Sequence, residues 1–150
     1  IRSEGDEHLR AAAVSKDGAT GWSKPVLQSD LYEPVCMASI LRLSRGPGHR
    51  NRILFSNPDS RGVPGMTDSK YNMRSRDNLT LKLSYDEGKT WAVSKLLESG
   101  GTGYSDLAAG PDGTIYVLYE RAETKSKRNL VFARVTLEWL TGGKDSWARQ

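Results

Sequence analysis

"SYDEGKTW" occupies Ser84–Trp91, and its reading decides the fold. It fits the pattern Ser-x-Asp-x-Gly-x-Thr-Trp. "SKDGATGW" (Ser15–Trp22) is a degenerate second copy. Ser15, Asp17 and Trp22 keep register, while the glycine moves to Gly18 and Ala19 takes its expected place. Each copy follows an alternating apolar strand and precedes a short one, "VSK" or "KPV". The residue types make a hairpin turn: Asp accepts backbone N–H bonds, Gly turns the chain, and Trp buries its ring between strands. Repetition of a hairpin unit marks radial β architecture.

Outward from the two copies, the periodicity is mostly two. Leu9–Ser15, Val35–Leu43, Arg52–Pro58 and Asn78–Asp86 read as strands, as do Ala92–Leu97, Tyr104–Ala109, Thr114–Arg121 and Leu130–Leu140. In "NLTLKLSY", Leu79, Leu81 and Leu83 alternate with Thr80, Lys82 and Ser84, the pattern of a half-buried strand. "GPDGT" (Gly110–Thr114) is a turn in which Pro presets φ and Asp-Gly permits the reversal. "RGPGHRN" (Arg45–Asn51) is a second hairpin loop. The long connection Asp59–Asp77 carries Gly, Pro and few apolar residues, and connections of this length are often functional. "VTLEWLTGG" admits a last helical turn ending at Gly142, but strand is the stronger expectation. No βαβ pattern appears, so the expectation is antiparallel all-β.

Composition bounds the rest. The chain has 150 residues, 37% hydrophobic and 27% charged, enough for one modest domain with a core. No apolar run is long enough to span a membrane as a helix. The first residue is Ile, so the expectation is that something upstream has been removed or that the chain is a piece of a longer one. The net charge of +4 is a mild bias. "RAETKSKR" (Arg121–Arg128) reads as a solvated loop, and no motif supports nucleic-acid binding. Cys36 excludes an internal disulfide and is expected to be buried filler. His8 and His49 show no metal-ligand spacing. "DEGKTW" lacks the carboxylates of a calcium loop, so neither metal nor cofactor is expected. "NLT" (Asn78–Thr80) is a glycosylation sequon placed within a strand, where it is expected to be unused.

The repeat resembles the Asp box of sialidases (neuraminidases). The flanking text sharpens the resemblance: "EPVCMASILRL", "RILFSNP", "RDNLTLKLSYDEGKTW", "GYSDLAAGPDGTIYVLYE" and "LVFARVTLEWL" follow one another as in the C-terminal half of bacterial and lysosomal-type members. The resemblance covers nearly the whole chain. It implies an all-β fold of antiparallel four-stranded blades, the C-terminal part of a six-bladed β-propeller. Residues 1–30 would end one blade, 31–99 would form a complete blade, and 100–150 would form the last blade and tail. The missing N-terminal half would be a partner of this chain. The implied compartment is secreted, periplasmic or lysosomal.

The resemblance also implies an exo-α-sialidase acting on terminal sialic acid of glycans. That sugar carries a carboxylate on its anomeric carbon, and arginine meets it better than lysine because its donors are planar and bidentate. The carboxylate repels an anionic nucleophile, and sialidases are known among glycoside hydrolases for using tyrosine instead. A free phenol has a pKa of about 10, so it needs a nearby base. Tyr104 matches the family's nucleophile through "GYSDL". Arg76 matches the third arginine of the carboxylate clamp, with Arg74 as rival. Arg2 matches the second, with Arg10 as alternative. Glu120, in "VLYER", matches the glutamate that orients the first arginine. The first arginine, the acid/base aspartate and the activating glutamate have no counterpart here. Glu33, in "YEPVCMAS", is the alternative for that base, but the family's glutamate lies upstream of the second arginine, so with Arg2 in that place Glu33 is read as structural. Asp106 is expected to face away from its odd-numbered neighbours and is not assigned the acid role. On this reading the isolated chain is inactive. Two readings compete: a non-catalytic Asp-box propeller that binds glycan or protein, and a complete small β domain.

Overall fold

A computed structural model describes residues 1–3, 5, 7–46, 49–61, 75–124 and 127–147. Their strands are β1 (Leu9–Ala12), β2 (Val26–Tyr32), β3 (Ser39–Ser44), β4 (Arg52–Pro58), β5 (Asp77–Ser84), β6 (Val93–Ala109), β7 (Ile115–Ala122) and β8 (Arg128–Val135), followed by helix α1 (Leu137–Thr141). β1 and β2 form a two-stranded sheet, and the others form a six-stranded sheet in order β3-β4-β5-β6-β7-β8. Every pairing is antiparallel. Sequential order follows from the short hairpin connections between most neighbours, and the long connection from β4 to β5 keeps the same order.

The core lies on one face of the larger sheet. Leu54, Leu79, Leu81, Leu83, Leu107, Ile115 and Val117 pack there, and Leu137 and Leu140 of α1 cap the cluster. The leucines of β5 point inward as their alternation predicts. The polar face of that strand is buried too, which corrects the expectation of a half-buried strand. β5 is central, paired on both edges, and its Lys82 sits over Asp59 at 3.3 Å and donates to Ser94 Oγ at 3.1 Å. A buried lysine is sustained only by such partners.

Both Asp boxes are polar lattices. In the second, Thr90 N–H and its hydroxyl donate to the two oxygens of Asp86, at 2.9 and 2.7 Å. These bonds hold the Asp86 carboxyl down at about 2. In the degenerate copy Thr20 takes the part of Thr90, one residue nearer its aspartate, donating to Asp17 at 2.8 and 2.6 Å. The displaced glycine thus shortens the turn without dissolving it. Trp91 packs on Phe55 with ring centroids 5.6 Å apart, whereas Trp22 is exposed.

Several strand limits differ from expectation, and the strand expected over Leu9–Ser15 ends at Ala12. Val35–Ala38 is loop, and β3 starts only at Ser39. Val35 takes φ 56°, a left-handed conformation that ends an extended run. The short strand after the first box extends to Tyr32. Ala92–Leu97 and Tyr104–Ala109 are parts of one 17-residue strand, β6. Leu137–Leu140 is helix: Thr136 caps it by accepting from Trp139 N–H at 3.2 Å, and Gly142 ends it at φ 64°. The Arg121–Arg128 stretch is also less of a loop than expected, since Arg121 and Ala122 close β7 and Arg128 opens β8.

β6 changes partner along its length. Up to Gly101 it pairs with β5, and from Thr102 onward with β7. At the crossing a Cβ on Gly101 would lie 2.8 Å from Ala122 Cβ, so the two strands approach only because Gly101 has no side chain. Farther along, Arg52 of β4 is 1% exposed and holds the tail. Its Nε and Nη2 donate to both oxygens of Asp145 at 2.8 and 2.6 Å, and Tyr85 Oη donates to the same carboxylate.

Candidate active site

Tyr104 lies in a β-bulge. Thr102 pairs with Arg121 and Ser105 with Tyr119, so Gly103 and Tyr104 together face Glu120 alone. Bulges re-aim side chains and gather next to active sites. Here the Tyr104 N–H turns from the ladder and donates to the Glu120 carboxylate at 3.1 Å. A Cβ on Gly103 would overlap that carboxylate and come 3.0 Å from Arg128 Nη1. Glycine at 103 is what lets Glu120 lie across the bulge. The Tyr104 side chain ends up 41% exposed.

Arg76 reaches the same place from the β5 side. Its guanidinium carbon sits 5.5 Å from the Tyr104 ring centroid, within cation–π range. Its Nη2 donates to Val35 O at 2.6 Å, and its own carbonyl accepts from Thr102 N–H at 2.7 Å. The strained loop at Val35 therefore supplies the carbonyl that aims Arg76. Arg74 lies outside the described residues.

Asp106 does face away from buried Ser105 and Leu107. That places it on the exposed face with even-numbered Tyr104. Both line a pocket of about 190 Å³ with Met37, Leu118, Glu120 and Leu130. Asp106 Oδ1 accepts from Ser39 Oγ at 2.8 Å, which ties β6 to the start of β3.

Arg2 comes from the segment that precedes β1. It is exposed and lines a cleft of about 780 Å³ with Arg10, Trp22, Met37 and Phe55. Among the described residues, Met37 alone lines both this cleft and the Tyr104 pocket. Arg10 is buried, bridging Glu33 at 2.9 Å and donating to Cys36 O at 2.7 Å. Burial lowers its pKa, and Glu33 partly offsets the shift. Glu33 is 0% exposed and also accepts from Cys36 N–H at 3.0 Å. These two residues hold up the Val35–Met37 loop. Cys36 is buried, and burial pushes its thiol up.

The structure thus brings together Tyr104, Arg76 and Glu120, and Arg2 lines a cleft that shares Met37 with the Tyr104 pocket. Sequence reasoning missed Arg128, whose Nη1 donates to Thr102 O at 2.7 Å. It also missed Met37 and the bulge. The small residues Gly101, Gly103 and Ala122 were the available signal. Among the described residues, no group of three or more His, Cys, Asp or Glu could hold a metal ion. No helix of the described residues is long and apolar enough to cross a membrane.

Comparison with known proteins extends the picture. The chain is 34% identical to a sialidase of Micromonospora viridifaciens over 137 residues, which is 89% of this chain and 18% of that protein. It is 31% identical to a sialidase of Bacteroides fragilis (strain YCH46), over 86% of this chain and 22% of that one. The chain therefore spans about a fifth of these relatives' length. A solved Hadza microbial sialidase superposes with a TM-score of 0.63 at 26% identity, over 89% of this chain and 24% of that one. The leech intramolecular trans-sialidase complexed with 2,7-anhydro-Neu5Ac gives a TM-score of 0.69 at 23% identity, over 90% of this chain and 21% of that one, a likeness of fold. The all-β antiparallel sheet is accordingly built of β-propeller blades of the sialidase kind. The BNR repeat-like domain family matches residues 1–117, a range that holds both Asp boxes and the Tyr104 bulge, and the chain belongs to that family.

Proposed function

We propose that this chain is part of an exo-α-sialidase, a retaining glycoside hydrolase that releases terminal sialic acid from glycoconjugates. The observation that carries the reading is the Tyr104 bulge. One side chain of the right chemistry is lifted to an exposed face, with an arginine 5.5 Å from its ring and a carboxylate on its amide. Sialidase relatives at 34% and 31% identity support it.

In this reading Tyr104 Oη attacks the anomeric carbon and the glycosidic oxygen leaves. Water then cleaves the tyrosyl–sugar bond with net retention. Arg76 and Arg2 bind the substrate carboxylate. Glu120, already spent on the Tyr104 amide, fixes the bulge and orients a further arginine. The acid, the base and that arginine come from the remainder of the polypeptide, the other half of the propeller. The partner change in β6 supports a division near residue 100, with 31–99 as one blade, 100–150 as the last blade and tail, and 1–30 as the end of another. Buried Glu33, bonded to Arg10, suits a structural role.

The test uses the intact protein and a fluorogenic sialoside. Tyr104→Phe is expected to abolish turnover, and unchanged turnover would remove Tyr104 from the mechanism. Arg76→Lys is expected to lower kcat/KM by about ten- to a hundred-fold, the equivalent of one charge-assisted hydrogen bond. The 150-residue chain alone is expected to release no fluorophore. Intact protein that binds sialosides without turning them over would favour a non-catalytic propeller.

A further inference from the structure

The bulge that presents Tyr104 is held by a side chain two strands away. β8 is an edge of the sheet, and Arg128 is its first residue, paired with Ala122 of β7. From there Arg128 Nη1 crosses β7 and donates to Thr102 O on β6 at 2.7 Å. Strands lie about 4.8 Å apart, so the guanidinium spans roughly two of these steps. The path is open because the residues beneath it are small. Ala122 underlies it on β7. At Gly103 a side chain would come 3.0 Å from Arg128 Nη1 and would overlap the Glu120 carboxylate.

Thr102, beside the bulge, and Tyr104, within it, are therefore fixed from opposite directions. Thr102 gives its N–H to Arg76 O at 2.7 Å and receives Arg128 on its carbonyl. Tyr104 gives its N–H to Glu120 at 3.1 Å. A bulge leaves backbone groups outside the ladder, and each needs a partner elsewhere. Two strand-borne charged side chains supply those partners here.

We infer that Arg128 is a positioning residue for Tyr104, locking the bulge through Thr102 O across the small-residue path of Gly103 and Ala122. The inference rests on the sialidase reading for its catalytic consequence, and on the backbone geometry alone for the lock. Arg128 acts through the backbone of Thr102, so its removal lowers the rate of attack more than it weakens substrate binding. Misplacement of a reacting group by about 1 Å costs on the order of a hundred-fold in rate.

The experiment compares intact wild type with Arg128→Met, Arg128→Lys, Gly103→Ala and Tyr104→Phe. For Arg128→Met, kcat on a fluorogenic sialoside is expected to fall about ten- to a hundred-fold, with KM changed less than about three-fold. Arg128→Lys keeps one N–H donor and is expected to recover part of the loss. Hydrogen–deuterium exchange at the Thr102–Ser105 amides is expected to quicken at least about ten-fold in Arg128→Met, since each factor of ten reports about 1.4 kcal/mol of lost protection. Unchanged exchange in that variant overturns the lock, whatever the activity. A rise in KM at constant kcat places Arg128 on the substrate and likewise overturns the inference. Should Arg128→Met fail to fold, Gly103→Ala carries the same two readouts, because its methyl group displaces both charged side chains. Full activity in Tyr104→Phe, or an inactive wild type, defeats the sialidase reading while leaving the exchange result to judge the lock.

Discussion

Val35 shows how much one residue can decide. A β-branched residue at φ 56° is strained by about 1–2 kcal/mol, yet its carbonyl is the acceptor for Arg76. Glycine takes this conformation without strain but costs about 0.5–1 kcal/mol in chain entropy and loses the side chain's packing. Val35→Gly is therefore expected to change stability by less than about 1 kcal/mol, where a valine inside a regular strand would lose more. Chemical denaturation of the intact protein checks it, and a loss above about 2 kcal/mol would show the residue unstrained. The identities of Tyr104, Arg76 and Glu120 could be read from "GYSDL", "RDNLTL" and "VLYER". Their meeting could not, because it depends on a register shift at Gly103 and on a loop carbonyl 41 residues from Arg76.

At the scale of elements, two polar constructions respond to acid. Asp86 is held at about 2 by Thr90, below the unfolded value of about 3.9. The box therefore contributes stability that is present above about pH 4 and lost as pH falls toward 2. Asp86→Asn is expected to flatten the fall of Tm across that window, measured by calorimetry from pH 5 to pH 2. Burial alone would raise the Asp145 carboxyl, but its bonds to Arg52 and Tyr85 outweigh burial and hold it below the usual carboxylate range. Its contribution too is present above about pH 4 and lost below it. The Arg52–Asp145 pair has both side chains nearly sealed from solvent, 1% and 2% exposed. Removing one member leaves a buried charge unpaired. Asp145→Ala is expected to cost about 3–5 kcal/mol in urea denaturation of the intact protein and to release the α1 tail. Both boxes were legible because Ser, Asp, Thr and Trp act within eight residues. The pair joining Arg52 to Asp145, 93 residues apart, left no local trace.

For the whole molecule, the face that carries Tyr104 is not covered by the described residues. Leu130 and Phe132 of edge strand β8 are 74% and 62% exposed, and Leu118 lies beside them. Apolar residues on an open edge invite pairing with another chain. The 150-residue chain alone is expected to self-associate at micromolar concentration in light scattering. A Leu130→Lys, Phe132→Lys double variant is expected to reduce that association, and scattering that stays unchanged would show another surface responsible. The same exposed strip borders the Tyr104 pocket through Leu118 and Leu130.

The sequence by itself determined the antiparallel all-β class and the two hairpin boxes. Those signals are local: alternation with period two, and turn residues acting on their immediate neighbours. Tertiary structure alone decided that β6 runs unbroken between two partners and that Arg10 and Glu33 brace a loop. It also decided that Tyr104 rides a bulge under Arg76, Glu120 and Arg128. Such features arise where strands distant in sequence meet. Register, burial and hydrogen-bond partner are fixed there by the packing of the whole sheet and not by any one strand's own residues.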